Sequence, residues 1–341
     1  MPMKNILLLL SLILITRIAV SQDTHYSQFY YSPLTLNPAL TGNFEGTWRV
    51  GANYRSQWGS ISAPSVYSTP SVFADFKLGS SYFKYNSFGL GILLLTDKAG
   101  DGQLTTTTAM ISGAYHQSLD QVGNYHLSFG GMWGWTQKGI DLSRLDFFDE
   151  FRGTDFSGTT VDPIANTSFA YTDIMGGIAF NALLSDYSRF TLGANIAHVT
   201  RPNESFYASP LNTNEIGTRY VVHASATIGV NNKVYIFPSA LYQLQSSSQE
   251  LVVGTNVGMN FSPSRYKVGT IVYIGTLTRL NDAIIPTIGF IAKGLKAGVS
   301  YDINTSGLDV ATGGQGGFEI GIVYTDGKTQ KKGKRMFCPR F

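Results

Sequence analysis

The chain has 341 residues, only 14% of them charged, with 13% aromatics, 37 glycines and a mean hydropathy of +0.01. An ordinary soluble domain carries about 25% charge, so a near-zero hydropathy built from few charges fits a membrane barrel, whose lipid-facing and lumen-facing residues alternate and cancel. The formal charge of +3 falls to +1 if Lys4 and Arg17 leave with an export leader, so no nucleic-acid or other polyanion partner is implied, and one cysteine, Cys338, excludes a disulfide-stapled scaffold.

Lys4, the apolar run Ile6 to Ile15 and the small residues of Ala19-Val20-Ser21 read as a secretory signal peptide over 1–21, cleaved before Gln22. Its apolar core is shorter than the roughly 20 residues a spanning helix needs. No later stretch reaches that length without interruption, so a mature chain lodged in a membrane spans it as strands.

Residues 22–44 (from QDTHYSQFYYSPLTLNPALTGN onward) are aromatic and carry proline without strand alternation. Tyr26, Phe29, Tyr30, Tyr31 and Leu36 need cover, so an N-terminal segment that caps or plugs a barrel from the periplasmic side is expected. Alternation then begins: Trp48, Val50, Ala52 and Tyr54 against Arg49, Gly51, Asn53 and Arg55; later Leu127 to Trp135 against His126 to Gly134, and Phe318, Ile320, Ile322 and Tyr324 against Glu319 and Gly321. Strands are predicted near 46–55, 65–76, 87–97, 103–118, 125–137, 172–182, 189–199, 218–230, 234–245, 250–261, 266–274, 282–292, 295–302 and 317–325. The fold class is all-β, a transmembrane antiparallel β-barrel of about 14 strands over 45–326, with a periplasmic N-terminal segment and a short periplasmic C-terminal tail over 327–341. Tight links at Asn231-Asn232-Lys233, Ser262-Pro263-Ser264-Arg265 and Gly294 share one parity, and long links near 138–171, 200–217 and 303–316 share the other. Periplasmic turns and extracellular loops sort in this way, although the link near 77–86 is long for a turn.

No catalytic constellation stands out. His25, His116, His126, His198 and His223 lack metal-ligand spacing, and neither a zinc-protease motif nor a nucleophile elbow is present. A Ser-His-Asp site assembled from separate strands stays open as a hydrolase reading, because a triad is recognised by geometry. Asp97-Lys98-Ala99-Gly100-Asp101-Gly102 reads as a tight turn before a calcium loop, and Asp146, Asp149 and Glu150 as part of a solvated loop. Arg49, Arg55, Lys296 and Glu319 face the lumen; they either line a porin or small-molecule transporter path or pair with one another or the plug.

Two ends and several internal motifs carry a resemblance. Tyr26, Gln28-Phe29-Tyr30 and Leu36-Asn37-Pro38-Ala39-Leu40-Thr41-Gly42 at the start, and Cys338-Pro339-Arg340-Phe341 at the end, resemble the signatures of the PorP/SprF family of type IX secretion system outer membrane proteins. Gly89-Leu90-Gly91, Phe237-Pro238-Ser239, Gly298-Val299-Ser300-Tyr301-Asp302 and Gly316-Gly317-Phe318-Glu319-Ile320 follow in the family's order, with Phe318 where members often carry His. The resemblance implies a non-enzymatic barrel in the outer membrane of a Gram-negative bacterium, without cofactor. It also implies partners: the secretion machinery with its periplasmic ring lipoprotein and that lipoprotein's partner, cargo such as a large adhesin bearing a type IX C-terminal domain, outer membrane lipids and, in some members, a role in gliding motility. The motif residues Tyr26, Gln28, Phe29, Asn37, Pro38, Ala39, Gly42, Tyr301, Asp302, Glu319, Cys338, Pro339 and Phe341 are then candidate partner-binding positions.

Overall fold

The computed structural model describes residues 23–59, 67–79, 85–156, 160, 167–185, 187–206, 214–261, 269–307 and 312–326. The leader with its cleavage position, and the tail with Cys338, Pro339 and Phe341, lie outside the described residues. Fourteen antiparallel strands close into one barrel, each bonded to its neighbour in sequence and β1 to β14. They are β1 (Trp48–Gln57), β2 (Tyr67–Leu78), β3 (Ser87–Ala99), β4 (Leu104–Ser118), β5 (Tyr125–Gly139), β6 (Ser168–Ser185), β7 (Ser188–Ala197), β8 (Arg219–Gly229), β9 (Val234–Gln245), β10 (Ser248–Asn260), β11 (Ile271–Arg279), β12 (Ala283–Ala292), β13 (Leu295–Asn304) and β14 (Gln315–Thr325). The seam pairs Arg49–Gln57 with Gly317–Thr325 without a break. Closure removes the sheet edges that hydrocarbon cannot solvate.

Period-two alternation sorts the wall as expected. Leu90, Ile92, Leu94, Ile111, Trp133, Ile174, Ile178, Ile274 and Ile288 point outward, while Asn53, Arg55, Asp75, Ser112, His116, Ser128, Asp302 and Glu319 are buried inward. Aromatics ring the outer face near both mouths. Trp48 packs on Tyr324 with ring centroids 5.3 Å apart and Phe88 on Tyr115 at 4.9 Å near one mouth; Trp135, Tyr220, Tyr242 and Tyr301 lie exposed toward the other.

The connections 140–167, 198–218 and 305–314 open onto one mouth, called here the long-loop mouth, and 230–233 and 293–294 onto the short-turn mouth. Two expectations shift. β11 occupies 271–279 and not 266–274, and the turn expected at Ser262–Arg265 lies outside the described residues; this register places Arg279 inside the barrel against Asp302. The sixth strand is longer than the predicted 172–182, since β5 extends to Gly139 and keeps pairing as far as Ser168.

The segment of residues 23–43, ahead of β1, lies inside the barrel. A 3₁₀ turn at Phe29–Tyr31, a single helical turn at Pro33–Leu36 and a second 3₁₀ turn at Pro38–Leu40 carry it along the lumen. Pro33 and Pro38 open the latter two, where a missing N–H costs nothing. Its apolar side chains face two sides of the wall: Phe29, Leu36, Ala39 and Leu40 pack with Val221, Leu241, Val252, Leu277 and Ile285, and Tyr31 and Leu34 with Phe73, Leu93, Met132, Met175 and Val323. Each large side chain so buried contributes about 1.5–3 kcal/mol. Asp23 meets β8 and β9 at the long-loop mouth, whereas Gly42 meets β2 at the short-turn end. The 23–42 segment therefore spans the lumen from Asp23 at the long-loop mouth to Gly42 at the short-turn end, and its polar backbone is bonded by lumen side chains.

Glycines on the inner wall make room for it. A Cβ at Gly130 would overlap the backbone of Pro38 and Ala39, and one at Gly89 the Thr41 carbonyl; Gly177 and Gly193 stand against Asn37, and Gly298 and Gly321 against Tyr31. Gly130→Val is expected to lower folding stability by about 1–3 kcal/mol through overpacking, read as a lower midpoint of heat-modified gel mobility. Gly131→Val, with open space at the same level of the outer face, is expected to leave that midpoint unchanged.

Candidate functional site

Three polar clusters fasten the luminal segment to the wall. At the long-loop end, the Glu319 carboxylate accepts the backbone N–H of Ser27 and of Gln28, each at 2.8 Å, just ahead of the first 3₁₀ turn. Asp302 receives Arg55 at 3.0 Å and Arg279 at 3.1 Å, and also the Ser27 hydroxyl at 3.0 Å. Arg55 further donates to the His25 carbonyl at 3.0 Å, and His25 Nε2 lies 2.8 Å from Glu250. Two guanidiniums are thus shared among three wall carboxylates and the segment's own backbone, so removing one member strands the others in a dry lumen.

A second cluster holds the first described residue. Asp23 lies 2.6 Å from His198 Nε2 and 3.2 Å from Arg219, and it accepts from the Gln245 amide at 3.0 Å. The other imidazole nitrogen of His198 is 2.8 Å from Asp173. Burial works against the imidazolium, but the two carboxylates outweigh it and raise its pKa to about 9. His198 follows β7 directly, with a left-handed φ of 55°.

At the short-turn end Asp75 clamps the segment's exit. Arg49 binds it in two-pronged fashion at 2.9 and 2.6 Å, while the Gly42 N–H reaches the same carboxylate at 2.7 Å. His116 Nε2–H donates to the Thr41 carbonyl at 2.8 Å, which leaves Nδ1 to accept from Ser128 at 2.7 Å. Midway, the Asn37 amide donates to the Ile178 carbonyl at 3.0 Å and to His223 Nε2 at 3.1 Å, Tyr31 shares a hydrogen bond with Tyr273, and the Lys296 ammonium sits 4.5 Å from the ring centres of both Tyr30 and Tyr31.

The motif residues fall into three groups. Tyr26, Gln28, Phe29, Asn37, Pro38, Ala39, Gly42, Asp302 and Glu319 come together in the lumen; Tyr26 donates to Ser71 at 2.7 Å, and the Asn37 side-chain oxygen caps the second 3₁₀ turn by accepting the Ala39 N–H at 2.9 Å. Tyr301 faces outward at 39% exposure, as does the divergent Phe318. Cys338, Pro339 and Phe341 are outside the described residues. Arg49, Arg55, Lys296 and Glu319, which sequence left between a solute path and pairing with the plug, all contact the luminal segment. Sequence reasoning missed Asp23, Asp75, Asp173, Arg219, Glu250 and Arg279; an inward-parity charge within an otherwise apolar strand was the available signal for the last five.

A void of about 20 Å³ lies between Thr24, His25, Phe29, Arg219 and Val221. A larger recess of about 570 Å³ opens at the long-loop mouth, lined by Trp135, Ala170, Tyr171, Thr172, Thr200, Pro202 and Asn203. Among the described residues no group of three or more His, Cys, Asp or Glu is arranged to hold a metal ion.

Comparison with known proteins gives one family. The family described as type IX secretion system membrane protein PorP/SprF matches residues 18–324. No curated protein matches the sequence. Solved barrels with similar coordinates include the toluene transporter TbuX of Ralstonia pickettii, at TM-score 0.44 and 10% identity over 85% of this chain and 91% of that one. A Pseudomonas aeruginosa FadL homologue reaches TM-score 0.47 at 11% identity over 84% and 92%, and the KdgM porin 0.38 at 6% over 81% and 98%.

Two predictions test this arrangement. Arg279→Met leaves Asp302 and Glu250 short of a counter-charge and is expected to cost about 3–5 kcal/mol, measured by urea unfolding in liposomes. Because the folded pKa of His198 lies above its ordinary 6.5, its contribution is fully present below about pH 6.5 and is lost as pH rises through about 9. Protease cleavage near Asp23 should accordingly increase between those values, while His198→Gln should be cleaved faster already at neutral pH, with that rise absent.

Proposed function

This chain belongs to the PorP/SprF family of type IX secretion system membrane proteins, and we propose that it is a non-enzymatic outer membrane barrel that supports export and surface anchoring of cargo proteins, large adhesins among them. The observation that carries this reading is a closed barrel of that family whose lumen is occupied by its own 23–43 segment. Such a molecule offers its mouths and loops for binding rather than its interior for diffusion. With the long loops outside the cell, the connections 140–167, 198–218 and 305–314 engage the cargo's C-terminal domain. The short turns and the tail after Asp326 face the periplasmic ring lipoprotein and its partner. Since residues 23–43 are enclosed, periplasmic contacts do not fall to them, and any part in gliding motility acts through the adhesin cargo.

Deletion of the gene, with a complemented strain alongside, is expected to remove one or a few large exported proteins from the cell surface and culture fluid by quantitative proteomics. Unchanged exported proteins with reduced uptake of a solute would replace this reading with a transporter. Purified protein in planar bilayers is expected to be nearly silent, because the lumen is filled.

A further inference from the structure

Among the described residues, the longest stretch over which a strand continues without its neighbour is in β6; β10 outruns β11 by a shorter one. β6 pairs with β5 from Tyr125–Ala182 up to Gly139–Ser168, but its ladder with β7 ends at Gly176–Ile196. One further bond, from Val199 N–H to the Ile174 carbonyl at 3.3 Å, closes that side. Beyond it the chain peels away: His198 and Arg201 both adopt left-handed backbone, with φ of 55° and 43°, and the His198 side chain is drawn inward between Asp23 and Asp173.

Alternation decides which groups are left over. Leu183 and Thr167 bond toward β5, through Asn124 and Ile140, and Ile174 bonds toward β7. Odd-numbered residues of β6 therefore turn their N–H and C=O to β5, and even-numbered ones to the vacated side. The Ile174 N–H is taken by the Asp173 side chain at 2.8 Å. Ser168, Ala170 and Thr172 remain, a row of three donors and three acceptors over about 16 Å at strand rise. Thr172 stands opposite Trp135 and Ala170 opposite Gln137, so the row starts at the aromatic girdle and runs outward, clear of the hydrocarbon in which an open edge is not tolerated. The 570 Å³ recess lies against this same edge, with Thr200, Pro202 and Asn203 as its far wall.

We propose that this edge is a strand-addition site for an extended, uncharged polypeptide segment of an exported partner. Only an extended backbone offers donors and acceptors at that spacing, and the recess presents no charged side chain, which disfavours a charged segment. The identity of the occupant as an exported protein rests on the function proposed above; the strand addition does not.

The test places a photo-crosslinking residue at Thr172 in growing cells, with Ile178 on the lipid face as control, and compares each with the same protein carrying Ala170→Pro. That proline removes an N–H aimed at the vacated side and none aimed at β5, and heat-modifiable mobility checks that the barrel is intact. Expected are a crosslink from position 172 to an exported polypeptide, none from 178, and at least a tenfold loss of the 172 crosslink in the proline variant; Thr172→Pro with the crosslinker at position 170 should repeat the loss. No polypeptide adduct, an adduct insensitive to either proline, or an adduct to this chain's own 207–213 would overturn the proposal. If gene deletion abolishes export but both proline variants export normally without a crosslink, the edge inference fails and the function stands. If deletion leaves export intact while a proline-sensitive adduct forms with a polypeptide that is not exported, the function fails and the strand addition stands.

Discussion

The sharing of two arginines among luminal carboxylates and the backbone of the N-terminal segment is the interaction on which the rest depends. A fourteen-stranded barrel encloses more space than its own inward side chains fill. Here Glu319 binds two backbone N–H groups of the segment, and Asp302 joins Arg55, Arg279 and Ser27. Because these charges are buried and paired with one another and with the segment's backbone, the segment is part of the core rather than a loose occupant. The glycines opposite Pro38, Ala39, Asn37 and Tyr31 complete the fit from the wall's side.

The same fastening shapes the outer surface. Asp23 and Asp173 hold His198 inward, and the left-handed turns at His198 and Arg201 carry the chain away from β6. The cluster at Asp23 thus joins the start of the luminal segment to the place where the β6–β7 ladder ends.

The occupied lumen also changes what the inward charges mean. Arg49, Arg55 and Lys296 would favour anion passage if water filled the barrel. Their partners are instead Asp75, Asp302, the Leu40 and His25 carbonyls and the Tyr30 and Tyr31 rings. Charge on an inner wall therefore marks attachment here, and the outward-facing Tyr301 and Phe318 mark the membrane girdle.

The sequence by itself determined the strand order, a count of about fourteen and the lipid-facing residues where alternation is unbroken, as at Trp48 to Tyr54 and Phe318 to Tyr324, because a two-residue period is a local property of adjacent residues. Its aromatic, proline-bearing start also showed that residues 22–44 need cover. Only the tertiary structure decided that the segment runs the full length of the lumen with Asp23 at the long-loop mouth, that β11 ends at Arg279, and that β6 outruns β7. These depend on contacts between residues far apart in sequence, such as Ser27 with Asp302 and Asp23 with His198. No local period encodes such a pairing; it follows from which buried charge finds which partner once the wall has closed.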